Sequence, residues 1–255
     1  MKQPDRSHQV SCIIPAYNEA GCLADTVAEW TVALARDTRD YEIIVVDDGS
    51  TDDSATLLRK LATQYDRLQV LTHATNVGYG AAVVDGFARA RFPLLFFTDS
   101  DGQYDPADFR LLLDRIATAD IVVGHRVRRA DPWGRALLSR GYNALVRRIV
   151  GSSLRDVNCA FKLLHRDSFT NLGIASTGFS VNAELEMTAR NHHMTIVEVP
   201  VRHRPRRAGR STVRPFHVLR GLQELAWLRR RQRDLPAHDR SESATRSSVR
   251  TRTAS

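Results

Sequence analysis

The feature that most constrains this chain is a recurrence of short, nearly continuous apolar runs, each ended by polar turn residues and followed by a helix-spaced stretch. Val10–Pro15, Tyr41–Val46, Leu68–Leu71, Leu94–Thr98 and Asp120–Val123 are strand-sized. Between them Gly21–Arg36, Ser54–Tyr65, Tyr79–Ala90 and Pro106–Thr118 carry helical spacing, as in Leu23, Val27, Trp30 and Leu34. A strand that is apolar on both faces must be covered on both, and alternating helices supply that cover. The pattern predicts an α/β fold, Rossmann-like, with a mostly parallel sheet and flanking helices.

After Gly124 the rhythm changes. Trp133–Val150 reads as a long basic amphipathic helix, Phe161–Leu164 as a strand, Asn182–Asn191 as a helix and Thr195–Val201 as a last strand. Pro215–Arg231 reads as a helix with Phe216, Leu219, Leu222, Leu225, Ala226 and Leu228 on or near one face. The expected organisation is an N-terminal arm over 1–9, a single folded domain over 10–214, a basic amphipathic helix over 215–234 and a disordered basic tail over 235–255. The formal net charge is +8, and it is unevenly placed. Residues 229–255 hold eight arginines against Asp234, Asp239 and Glu242, a net +5, and Arg202, Arg204, Arg206, Arg207, Arg210 and Arg214 form a second cluster. This asymmetry calls for an anionic partner at the C-terminal end. The tail lacks interleaved aromatics, so a nucleic-acid partner is not expected. No apolar run approaches the roughly 18 residues of a membrane span, and residues 1–9 lack the apolar stretch of a secretion signal. Cys12, Cys22 and Cys159 have no metal-ligand spacing and read as reduced core thiols. These features predict a cytoplasmic protein, peripheral on the cytoplasmic face of the membrane, whose C-terminal helix lies on anionic lipid or on the folded domain.

In open α/β sheets ligands bind at the carboxyl ends of the strands, and the informative polar residues of this chain lie there. Tyr17, Asn18 and Glu19 follow the first strand; Asp47, Asp48, Gly49 and Ser50 the second; Asn76, Gly78 and Gly80 the third; Asp99 and Asp101 the fourth. Two carboxylates two residues apart on a turn suit a hard divalent cation, Mg2+ or Mn2+, that takes its other ligands from phosphates; Gln103 can add a neutral oxygen. Asp47 and Asp48 can accept hydrogen bonds from a nucleobase or ribose, with Gly49 permitting a tight turn and Ser50–Asp52 capping the next helix. Gly78-Tyr79-Gly80 reads as a glycine turn entering a helix, since the rest of a dinucleotide fingerprint is missing. Arg126, Arg140 and the loop Arg206–Arg214 present guanidinium forks suited to phosphate, whereas Arg147 and Arg148 read as a solvated face. Glu184 and Glu186 sit in the first turns of a helix, where the helix dipole favours acids.

In order, these residues resemble the family 2 glycosyltransferases of the GT-A fold, especially the polyprenyl-phosphate (dolichol-phosphate) mannose synthase branch. The resemblance runs from Val10 to Thr212. It rests on Ile14-Pro15-Ala16-Tyr17-Asn18-Glu19, Val45-Val46-Asp47-Asp48-Gly49-Ser50-Thr51-Asp52, Asn76-Val77-Gly78-Tyr79-Gly80-Ala81-Ala82 and Asp99-Ser100-Asp101-Gly102-Gln103. On the acceptor side it rests on Gly124-His125-Arg126, Ser139-Arg140-Gly141-Tyr142-Asn143, Asp156 through Leu163 and Arg207-Ala208-Gly209-Arg210-Ser211-Thr212. The resemblance implies an inverting, metal-dependent transferase. Pro15, Ala16, Tyr17, Glu19, Asp47, Asp48, Asp99, Gln103, Arg207, Arg210 and Ser211 would bind a nucleotide-diphosphate sugar, GDP-mannose first and UDP-glucose second. Asp99, Asp101 and Gln103 would hold the metal, and Arg126, Ser139 and Arg140 would receive a polyprenyl phosphate. Asp99, Asp101, Arg126 and Arg140 would then be catalytic. Three positions depart from the pattern: Ala160 replaces a glycine, Thr212 stands where a lysine is common, and Asn182 stands where many relatives carry an acid. A hydroxyl acceptor is the alternative, and it would require Glu184 or another carboxylate to take a proton.

Overall fold

The computed structural model describes residues 7–127, 141, 143–149, 151–170, 172–206, 221, 223–227 and 229–230. The strands are β1 (Gln9–Ala16), β2 (Asp40–Asp47), β3 (Leu68–Thr72), β4 (Leu94–Thr98), β5 (Ile121–Arg126), β6 (Phe161–His165) and β7 (Ile196–Val201). The helices are α1 (Ala20–Asp37), α2 (Ser54–Ala62), α3 (Tyr79–Arg89), α4 (Phe109–Ile116), α5 (Arg166–Thr170) and α6 (Val181–Asn191). One seven-stranded sheet runs in the order β3-β2-β1-β4-β6-β5-β7. All of its pairings are parallel except those of β6, which runs antiparallel to both β4 and β5. The expected α/β architecture is therefore present.

β4 shows why its apolar run is continuous. Successive residues of a strand point to opposite faces. Phe96 enters a cluster with Trp30 of α1 (ring centroids 4.9 Å apart), Phe109 of α4 (4.7 Å) and Phe161 of β6 (5.0 Å). Phe97 faces the other way, against Phe87 of α3 (5.6 Å), which in turn meets Phe169 of α5 (4.5 Å). Both faces of the sheet are thus closed by aromatic packing.

Several local expectations change. Pro106–Thr118 is not one helix. Pro106–Asp108 forms a 3-10 turn, capped by the Asp105 side chain accepting from the Ala107 amide (3.0 Å), before α4 begins. The short α5 carries too few residues to show helical periodicity. The expected helix Trp133–Val150 is helical over 143–149, and the expected C-terminal helix is helical over 223–227 and 229–230. Ser139, Arg140, Arg207, Arg210 and Ser211 lie outside the described residues, as do the first six residues and the tail. Cys12, Cys22 and Cys159 are buried and form no disulfide among the described residues.

Gly78 fixes how the sheet's third loop meets the chain before α6. Its φ is +110°, and a Cβ there would stand 2.4 Å from the Thr177 carbonyl oxygen. That carbonyl accepts the Gly80 amide at 2.8 Å and the Ala81 amide at 3.2 Å. Gly78→Ala is expected to cost about 1–3 kcal/mol, lowering Tm by several degrees in a thermal melt.

Candidate active site

β1 and β2 end in register, Ala16 opposite Asp47, so the loops that follow emerge side by side. Asn18, in the left-handed region at φ 56°, ties them together. Its side-chain oxygen accepts the Thr51 amide (2.7 Å) and the Asp52 amide (3.2 Å), and its own amide donates to Ser50 Oγ (2.9 Å). Asp52 accepts the amides of Ser54 (2.9 Å) and Ala20 (3.3 Å). Ser50–Asp52 were expected to cap α2. Instead its N-cap is Asp53, which makes no side-chain cap bond, and Ser50–Asp52 mainly staple the first loop to the second.

The neighbours Asp47 and Asp48 do different work. Asp47 is fully buried at the end of β2. Its Oδ1 accepts the Ser50 amide at 3.1 Å, while its Oδ2 is buried with no hydrogen-bond partner. Leaving a buried acceptor unsatisfied is costly, so Oδ2 is suited to a donor brought by a ligand. The Asp48 carboxylate is engaged by the amides of Val77 and Gly78, both at 2.9 Å, with His73 Nδ1 2.8 Å from Oδ1. It holds the third loop in place, a task its position in the sequence did not signal.

That loop delivers Tyr79, which no residue pattern singled out. Its ring stacks on Phe179 (5.3 Å between centroids, 20° between planes) and its hydroxyl donates to Asp99 Oδ1 at 3.1 Å. Asp99 is partly reachable from the cleft but deep in protein. Burial, and then the nearby charge of Asp101, raise its carboxyl to about 7, against the opposing pull of Arg126 and Lys162. Asp101 accepts the Gln103 amide at 3.1 Å. The Gln103 side-chain amide donates to the Arg204 carbonyl (3.1 Å), and the Arg204 amide returns a bond to the Gln103 carbonyl (2.7 Å).

The segment after β7 is held over this site. Arg202 pairs with Asp105 and Asp108, and Arg204 with Asp105 and Glu29. Arg206 pairs with Glu19 and lies 3.7 Å from Asp101 Oδ2. Burial raises the Glu19 carboxyl, with Arg206 partly offsetting it.

A buried carboxylate whose charge is opposed by a second one two residues away is an arrangement a divalent cation relieves. Among the described residues no group of three or more His, Cys, Asp or Glu could hold a metal. The donor set therefore fits a cation that completes its shell with substrate phosphates better than one caged wholly by protein. With Asp99 titrating near 7, the cation must displace a proton at lower pH. Mn2+ affinity is expected to rise as pH increases through 7. Calorimetry in buffers of different ionisation enthalpy checks this, with proton release larger at pH 6.5 than at pH 8. Because the folded pKa lies above the unfolded value, the metal-free fold loses stability as pH rises through 7.

A cationic wall faces the acids. Arg126, the last residue of β5, makes a bidentate pair with Asp156 (2.6 and 2.9 Å), backed by Asn143 Nδ2 on the same carboxylate (3.3 Å). Its Nη1 makes no hydrogen bond among the described residues. Lys162 is buried, its Nζ donating to Asn182 Oδ1 (2.5 Å) and to the carbonyls of Val157 (3.1 Å) and Cys159. Burial lowers its ammonium to about 8. Glu184 accepts the amides of Ala175 (3.0 Å) and Ser176 (2.7 Å), so its carboxylate anchors the chain entering α6.

The family described as "Glycosyl transferase family 2" matches residues 11–173. Polyprenol monophosphomannose synthase of Mycolicibacterium smegmatis is 30% identical in an alignment of 227 residues that covers 84% of each chain. Among solved structures, glucosyl-3-phosphoglycerate synthase of Mycobacterium tuberculosis with phosphoglyceric acid superimposes with a TM-score of 0.67 at 21% identity, covering 87% of this chain and 80% of that one. The same enzyme with Mn2+, uridine diphosphate and glucosyl-3-phosphoglycerate gives 0.62 at 22% identity, covering 88% and 76%.

Proposed function

The chain belongs to glycosyltransferase family 2 and has the fold of its GT-A structural neighbours; on that premise we propose that it transfers a hexose, mannose first, from a nucleotide-diphosphate sugar to a polyprenyl phosphate. The similarity to a polyprenol monophosphomannose synthase supports this reading. The observation that carries it is the charge around Asp99: apart from Asp101, the charged groups that act on it most strongly are the cations Arg126 and Lys162. Such a wall suits an acceptor that arrives as an anion.

A phosphate oxygen of the acceptor attacks the anomeric carbon, and the bond from that carbon to the diphosphate oxygen breaks on the opposite side, with inversion. No proton need move, because the nucleophile is already ionised. Asn182, neutral and bonded to Lys162, is consistent with a site that has no general base at that position. Asp47 Oδ2 would accept from the nucleobase or ribose, and Arg126 Nη1 would orient the acceptor phosphate. Asp99 and Asp101, with the Gln103 side-chain oxygen within their turn, would hold Mg2+ or Mn2+, which supplies charge stabilisation for the departing diphosphate. GDP-mannose is the favoured donor over UDP-glucose. Among the described residues no helix is long and apolar enough to cross a membrane, and peripheral attachment to an anionic membrane surface fits a lipid acceptor.

The test is a direct competition of acceptors. Polyprenyl phosphate is expected to be glycosylated, while the free polyprenol of equal length is left unmodified across pH 6 to 9. Transfer to the alcohol in preference to the phosphate would contradict the proposal.

A further inference from the structure

The helical residues 143–149 meet residues 223–227 and 229–230 on one side of the domain, where Ile149, Ala226, Arg229 and Arg230 line a shallow cavity of about 290 Å3. Each segment is anchored from within, by Val146 and Leu225, both fully buried. Glu224 also turns inward: it accepts a hydrogen bond from Ser180 Oγ, and a Cβ on Gly178 would stand 2.7 Å from its Oε2. The C-terminal helix is therefore docked on the catalytic domain, and its outer side remains to be explained.

That side combines exposed apolar bulk with unbroken positive charge. Leu145 is 42% exposed and Trp227 55% exposed. Arg148, Arg229 and Arg230 are exposed on the same two segments, and Glu224 is the only acid among their described residues. The sequence continues the charge with Arg231 and Arg233. Tryptophan favours the boundary between water and hydrocarbon, and arginine beside it gains from anionic headgroups. We propose that this face, Leu145 and Trp227 rimmed by Arg148, Arg229 and Arg230, rests on an anionic phospholipid bilayer. The inference builds on the polyprenyl-phosphate reading and assigns it a surface.

The position of the patch links it to the site. The chain at 178–180 touches Glu224 on one side, while Phe179 stacks on Tyr79, whose hydroxyl reaches Asp99. The helix that carries Trp227 is thus packed against the segment that adjoins the site.

The experiment uses the full chain and vesicles of phosphatidylcholine alone or with 30% phosphatidylglycerol, read by co-sedimentation. Wild type is expected to bind the anionic vesicles only. The variant Trp227→Ser/Arg229→Glu/Arg230→Glu, altered solely at exposed positions, should lose at least about tenfold in partitioning. It should also transfer sugar to a water-soluble short-chain polyprenyl phosphate at the wild-type rate. Vesicle binding undiminished in the variant, or no binding by wild type, would overturn the docking surface even if short-chain transfer proceeds. Binding lost in the variant, with no transfer to any polyprenyl phosphate by either protein, would uphold the surface and overturn the acceptor assignment instead.

Discussion

Asp101→Asn is expected to lower kcat/KM for sugar transfer by about 10³-fold, the scale of losing a group that stabilises charge developing in the transition state. The substitution is nearly isosteric, and the retained side-chain oxygen can still accept the Gln103 amide that Asp101 accepts now. The turn after β4 should therefore persist. What disappears is one of the two charges that together call for a cation. Asp101 also raises the Asp99 carboxyl, so Asp99 in the variant should titrate lower and the pH dependence of metal binding should shift with it. Calorimetric Mn2+ titration and steady-state kinetics check both effects. A melt within a few degrees of wild type distinguishes loss of function from loss of fold. Full metal-dependent turnover by the variant would remove Asp101 from the metal site.

The second large effect is structural. Asp156→Ala strips Arg126 of both of its hydrogen bonds to a carboxylate in a setting where the side chains are 14% and 6% exposed. Removing one partner of a buried pair leaves an uncompensated charge and costs about 3–5 kcal/mol, roughly 10 °C in Tm for a domain of this size. It also releases Asn143, which bonds to the same carboxylate and to Asn158. The double replacement Arg126→Met/Asp156→Leu fills the space without charge and is expected to recover much of the lost stability. It should not recover transfer to the anionic acceptor, because the guanidinium that would orient the phosphate is gone. Recovery of both would reduce Arg126 to a purely structural residue.

The sheet and the strand-end clustering of polar residues were legible because buried parallel strands write continuous apolar runs and their loops write turn chemistry. The antiparallel direction of β6 was not, since Phe161–Leu164 looks the same read toward either neighbour. Within the candidate site, residue type drew attention to Asp47, Asp99 and Asp101, but it could not divide labour between adjacent acids. Asp48 serves the Val77 and Gly78 amides while Asp47 keeps an oxygen unsatisfied, and only tertiary geometry separates them. Tyr79 was hidden for the same reason. Its partner Asp99 is 20 residues away, and no local pattern links a helix-entry tyrosine to a later carboxylate. Lys162 in a strand gives no hint that its ammonium ends under the cleft on Asn182. The family resemblance marked these stretches as motifs without saying what each side chain touches.

The most direct measurement incubates the purified protein with Mn2+ or Mg2+, polyprenyl phosphate and radiolabelled GDP-mannose, and counts label extracted into organic solvent. The account predicts label in the lipid phase that is released by mild acid, as expected of a sugar joined through its anomeric carbon to phosphate, and that is abolished by EDTA. Donor consumption with label only in water-soluble products, or lipid labelling that survives EDTA undiminished, would contradict it.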